Sequence, residues 1–197
     1  MMWLAVWSAI ERHCDHLNED TLNTFVKYGI PVYSCLDVVK RYKNVNLMQS
    51  RRKVQLGGFK IQSFKLQHSC ECIGFIIIHE EFGKLVFCTD CAEFKLKIKD
   101  VHHWMIECNY SDDIITNNLC DNIENRSHSN RHLELNDTIN ALKKNYSINM
   151  QNIILLHLSN ENSNAAEFVK KVKKELSFDN VFVAERNLLL PLHKEEF

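Results

Sequence analysis

The sequence changes texture near its middle, and this change constrains the fold more than any other feature. Lys53–Leu56 and Phe59–Leu66 flank Gly57-Gly58, and Ile73–Ile78 and Leu85–Cys88 flank Glu80-Glu81-Phe82-Gly83. Short glycine-containing turns between apolar runs are the mark of β-hairpins. Beyond a further strand at Trp104–Cys108 the pattern alternates. Helical periodicity covers Ser111–Asn122 and Leu135–Tyr146, a buried strand Ile153–Leu156, an amphipathic helix Ala165–Leu176 and a last strand Val181–Ala184. Hairpins followed by alternating strands and helices predict an α+β chain in which helices cover sheets. Upstream, Asn18 can cap a helix through Leu22, Phe25 and Val26 to Gly29. A short strand at Pro31–Ser34 and a short helix at Leu36–Tyr42 follow. The most polar stretch, Asp121–Asn130, reads as an exposed loop rather than a linker, so residues 1–197 are expected to form one domain.

Composition narrows the function. The 197 residues carry a formal net charge of -1 and are 45% hydrophobic and 25% charged, as in a globular chain with a sizeable core. A protein built to coat nucleic acid would show a basic surface. A small phosphorylated substrate remains compatible. No apolar run approaches the ~20 residues of a bilayer span, so no membrane association is expected. The opening MMWLAVWSAI has no basic n-region or small-residue cleavage motif and reads as a strand rather than a signal peptide. The eight cysteines include Cys70-x-Cys72 and Cys88-x-x-Cys91. The first spacing is one residue short of a zinc knuckle and Cys88 lies in an apolar run. Reduced thiols packed in the core are therefore expected.

Three fragments place metal-ligand residue types at strand ends. The first is Glu11-Arg12-His13-Cys14-Asp15-His16, which opens a helix and concentrates imidazole and carboxylate donors suited to a divalent cation. The second is Phe87-Cys88-Thr89-Asp90, a carboxylate directly after a buried strand; an aspartate there is also an ordinary turn residue. The third is Leu155-Leu156-His157-Leu158-Ser159, in which a histidine closes an apolar run. Such a histidine is commonly a satisfied core residue, but separate strands can deliver all three fragments to one cleft.

In this order the fragments resemble the metallo-β-lactamase fold, in particular its ribonuclease Z-like, WalJ/YycJ-like and phage anti-Pycsar phosphodiesterase branches. The resemblance runs from about Ile10 to Ala184. The full motif of those branches is H-x-H-x-D-H; here Glu11 stands in place of the first histidine, followed by His13, Asp15 and His16. His68 precedes Ile73-Gly74-Phe75 and matches a third ligand, although Ser69 follows it where the family has aspartate. Asp90 matches the metal-bridging aspartate and His157 the last ligand. Glu107, in MIECNY, and His132, in the segment Asn130–Asp137, match a non-ligand catalytic pair.

The resemblance implies an αββα sandwich, incomplete at the N-terminus because only ten residues precede the first motif. It implies two divalent cations, zinc first and manganese second, sharing Asp90. One would be held by His13, His68 and Glu11, the other by Asp15, His16 and His157. Attack by a metal-bridged hydroxide, oriented by Asp15, and protonation of the leaving alkoxide by His132, backed by Glu107, would hydrolyse a phosphodiester. The substrate class is RNA, DNA or a cyclic nucleotide, and the net charge tilts this toward the small cyclic nucleotide. A homodimer in the cytoplasm of a bacterium or a phage-infected bacterium is the expected setting. The alternative is an impaired relative, with Glu11 weakening the metal site, that serves as a binding module or survives as a gene remnant.

Overall fold

The computed structural model describes residues 18–34, 36–68, 72–117 and 131–194. The chain first builds a small unit of its own. Helix α1 (Glu19–Lys27) starts where the Asn18 side chain accepts the Thr21 N–H at 2.9 Å, and two acidic residues in its first turn complement the helix dipole. Helix α2 (Leu36–Arg41) connects two short parallel strands, β1 (Val32–Ser34) and β2 (Val45–Leu47). Leu22, Phe25, Val32, Val38 and Val45 pack together as the core of this unit.

Seven strands then form one sheet in sequence order. β3 (Lys53–Leu56), β4 (Phe59–Leu66), β5 (Cys72–His79) and β6 (Gly83–Cys88) are antiparallel, and their turns fall at the two predicted hairpins. Gly57 and Gly83 take positive φ, 56° and 75°, which glycine adopts without a Cβ penalty. From β6 onward the sheet is parallel: β7 (His103–Glu107), β8 (Asn152–Leu156) and β9 (Val181–Val183). Parallel neighbours need crossover connections, and helices α3 (Asp112–Asn117), α4 (Leu135–Lys144) and α5 (Ala165–Leu176) lie within them.

Around β6, β7 and β8 the sheet is buried on both faces, and the twofold period of the strands shows why. Trp104, Ile106, Ile153 and Leu155 face a core completed by Leu142 of α4 and by Phe168 and Val172 of α5. Their neighbours Phe87, Ile154 and Leu156 face a second core with Phe75, against which Leu190 and Leu192 also pack. All five residues of β8 are buried, which explains its unbroken apolar sequence. Cys72, Cys88, Cys91 and Cys108 are reduced and buried in the first core, as expected of thiols used as small hydrophobes. One difference from the sequence reading is local. Strand β2 is only three residues long, too short to be read from the sequence, and exists because β1 offers it partners. Helix α3 is described only to Asn117, and the expected loop at Asp121–Asn130 lies outside the described residues. So does the opening segment read as a strand. No helix among the described residues is long and apolar enough to cross a membrane.

Candidate metal centre

The parallel half of the sheet positions the site. Strands β6, β7 and β8 run the same way, so their C-terminal ends share one edge, with Cys88 beside Ile106 and Glu107 beside Leu156. Asp90 follows β6, Glu107 ends β7 and His157 follows β8. This is the edge at which open parallel sheets place their ligand crevices. His132 arrives from the segment before α4. Strand β4 is antiparallel to β5 and so parallel to β6, which brings His68 to the same end. There Ala92 N–H donates to Gln67 O at 2.7 Å and ties that end to the Asp90 loop.

Glu107 is the centre of the arrangement. It is fully buried. One oxygen, Oε1, accepts from His132 Nδ1 at 2.7 Å and from His157 Nδ1 at 2.8 Å. The other, Oε2, accepts the backbone N–H of Cys91 at 2.8 Å and of Leu133 at 3.4 Å. Burial pushes its pKa up, but the hydrogen bonds from His132 and His157 together outweigh burial and hold the carboxyl below its usual range. An ionised Glu107 requires each imidazole to present Nδ1–H to it, so that Nε2 is the unprotonated, ligand-type nitrogen in the neutral ring. His68 follows the same pattern, its Nδ1 lying 2.9 Å from Arg131 O. Oriented imidazoles of this kind are typical of metal-binding histidines.

Asp90 completes the cluster, with Oδ1 3.3 Å from His157 Nδ1. The imidazole of His132 lies 5.1 Å from that of His157 and 5.6 Å from that of His68, centroid to centroid. Asp90 and His157 both take left-handed backbone conformations, φ 54° and 55°. Non-glycine residues are rarely found there, and aspartate and histidine tolerate it better than most. Such geometry just past two adjacent strands marks a place where the surrounding structure holds the chain against its preference.

The donor set fits a divalent cation. Asp90, Glu107, His132 and His157 each offer a ligand atom, and these atoms lie within 4.8 Å of one another. Ligands at ~2.0–2.2 Å from a common ion are at most about 4.4 Å apart, so the cluster has close to the dimensions of a coordination sphere, although its four members need not all be ligands. Carboxylate and imidazole donors suit zinc, manganese or iron. Because Glu107 already accepts four hydrogen bonds, it serves this set better as the group that aims the imidazoles.

Of the residues singled out in the sequence, the structure thus brings together Asp90, Glu107, His132 and His157, with His68 alongside. Glu11, His13, Asp15 and His16 lie outside the described residues. Two features escaped the sequence. One is that His157 shares the carboxylate of Glu107 with His132. The other is Asn109, whose Nδ2 donates to His157 O at 2.6 Å. Its place two residues beyond Glu107, at the same strand end, was the available signal.

No family model matches the sequence, and no curated protein matches it either. Solved structures do match. YhfI from Bacillus subtilis, a metallo-β-lactamase fold protein, aligns over 89% of this chain and 73% of its own with a TM-score of 0.66 at 17% identity. This chain has the metallo-β-lactamase fold. A diphosphatase of the PhnP family aligns over 91% of this chain and 67% of its own, TM-score 0.61, 14% identity. The short form of human tRNase Z aligns over 90% and 65%, TM-score 0.51, 12% identity. At these identities the likeness is one of fold, and the chemistry lies in the cluster at the strand ends.

Proposed function

We propose that the chain is a metal-dependent phosphodiesterase. The observation that carries this reading is the buried Glu107 carboxylate holding two imidazoles beside Asp90, at the shared edge of three parallel strands. In this reading Asp90, His157 and His68 are ligands, joined by donors from the Glu11–His16 segment. Divalent cations bound there would supply Lewis acidity toward phosphate oxygens and lower the pKa of water. Asp90 would be the anionic ligand shared between two cations. His132 is the general acid: Glu107 fixes its Nδ1–H and stabilises the imidazolium, whose Nε2–H gives a proton to the leaving alkoxide. Glu107 acts on substrate only through the two rings it aims.

The substrate class is the phosphodiester, with a cyclic nucleotide preferred over a long nucleic acid. A formal net charge of -1 does not provide the phosphate neutralisation that a polyanion rewards. Two of the similar structures bear names that denote cleavage of phosphate linkages, a diphosphatase and a tRNase, which supports the reaction class. Zinc is the preferred cation and manganese the second choice.

The test is elemental analysis of purified protein, followed by assays with bis(p-nitrophenyl) phosphate and with 2′,3′- and 3′,5′-cyclic nucleotides under added zinc or manganese. Bound metal with turnover of a cyclic nucleotide is the expected result. Turnover of RNA alone would move the substrate to nucleic acid. A metal-free, inert chain would leave a binding module in place of the enzyme.

A further inference from the structure

Asn109 is the residue at which three segments of the site meet. Its backbone N–H donates to Leu133 O at 2.9 Å, holding the segment that carries His132. Its carbonyl accepts Ser159 N–H at 2.8 Å, holding the segment that follows His157. Its side-chain Nδ2 donates to His157 O at 2.6 Å. The ladder between β7 and β8 runs out here, its continuation being Cys108 N–H to Leu156 O at 3.0 Å. The carbonyl one residue further, that of His157, takes its donor from the Asn109 side chain.

That carbonyl belongs to a residue with φ 55°. A left-handed conformation is unfavourable for a non-glycine residue, so it persists only where neighbours fix it. Turning the peptide after His157 back to an ordinary conformation would rotate its Cα substituents and swing the imidazole away from Glu107 and Asp90. We propose that Asn109 is a positioning residue for His157, its amide locking the left-handed peptide that aims the imidazole into the site. The consequence for metal affinity rests on the reading of His157 as a ligand; the positioning itself does not.

The chemistry demands an amide. Aspartate at this position has nearly the same shape but no N–H. It would set a carboxylate against the His157 carbonyl, two acceptors with no proton between them. Alanine removes the donor without adding charge and keeps both backbone hydrogen bonds. Asn109→Asp and Asn109→Ala therefore remove the same bond in different ways.

The experiment uses the full chain labelled with ¹⁵N-histidine, first without metal. Long-range ¹H–¹⁵N spectra report the tautomer of each imidazole. In the wild type, His132 and His157 should both show Nδ1–H. In Asn109→Asp and Asn109→Ala, His157 should lose that single tautomer while His132 keeps it and the backbone spectrum stays dispersed. Zinc titration should then show a ~10–100-fold weaker dissociation constant in both variants, the usual effect of removing an outer partner of a ligand. An unchanged His157 signal overturns the proposal, and so does equal loss at His132, which would make Asn109 a general structural support. If Asn109→Asp does not fold, Asn109→Ala decides. A wild type that shows the His157 signal, loses it on substitution and binds no zinc would uphold the positioning role and refute the metal reading.

Discussion

Glu107 holds His132 by a 2.7 Å hydrogen bond from a position with no solvent exposure. The same oxygen holds His157, so one buried charge sets the orientation of two rings. Glu107→Gln should retain the fold and lower turnover about 10–100-fold, because an amide oxygen accepts less strongly and its NH₂ opposes the donors around it. Glu107→Ala should be far worse, destabilising the chain by ~3–5 kcal/mol as the buried donors lose their acceptor. Chemical denaturation of both variants beside the wild type checks the order; equal stability of the two would contradict it.

His132 separates chemistry from metal binding. His132→Ala is expected to keep its metal content while the rate falls by ~10²–10⁴. The fall should be largest with a ribose alkoxide as leaving group and smallest with nitrophenolate, which needs little protonation. Parallel assays on a cyclic nucleotide and on bis(p-nitrophenyl) phosphate, with metal analysis of the same samples, measure this. Loss of a cation would make His132 a ligand, and an equal fall on both substrates would refute its role as the acid.

In the proposed reading Asp90 is the one ligand shared by both cations. Asp90→Ala should therefore strip metal more completely than His68→Ala, since two positive charges would face each other without their shared anion. Elemental analysis after dialysis against a weak chelator compares the two variants, and similar retention would argue against sharing.

His103 predicts a pH effect away from the site. Burial lowers its pKa from 6.5 to about 4, and its partners explain the neutral ring. Nε2 donates to His193 O at 3.0 Å while Nδ1 accepts from Asn152 Nδ2 at 3.0 Å, so a proton on Nδ1 would face an N–H. Between these pKa values the unfolded chain binds the proton and the folded chain does not. The contribution of neutral His103 is thus complete above pH 6.5 and is lost as pH falls toward 4, by about 3 kcal/mol at most. His103→Gln cannot titrate. The stability difference between wild type and this variant should shrink steadily from pH 7 to pH 4 in urea melts, and a constant difference would refute the assignment.

Local sequence specified the elements wherever a short-range preference was strong enough. Asn18 and Asn164 cap helices, Gly57 and Gly83 close hairpins, and the unbroken Ile153–Leu156 run is a strand buried on both faces. Strand β2 was not legible because three residues make a strand only when a partner supplies the hydrogen bonds.

Asp90 and His157 were legible for a similar reason, each standing just past the end of an apolar run, whereas His68, Glu107 and His132 were named only through the resemblance. What the sequence by itself determined was therefore the kind of chain, hairpins leading into strand–helix alternation, and the residue types waiting at the strand ends. Only the tertiary structure decided which of them meet. His132 and His157 stand 25 and 50 residues from Glu107 along the chain. They reach one oxygen because the parallel register of β7 and β8 sets Glu107 beside Leu156, and because Asn109 and Leu133 join their loops. The left-handed turns at Asp90 and His157 were likewise not legible, since aspartate and histidine tolerate that backbone without requiring it. Side-chain convergence is a property of register and packing, and no window along the sequence contains it.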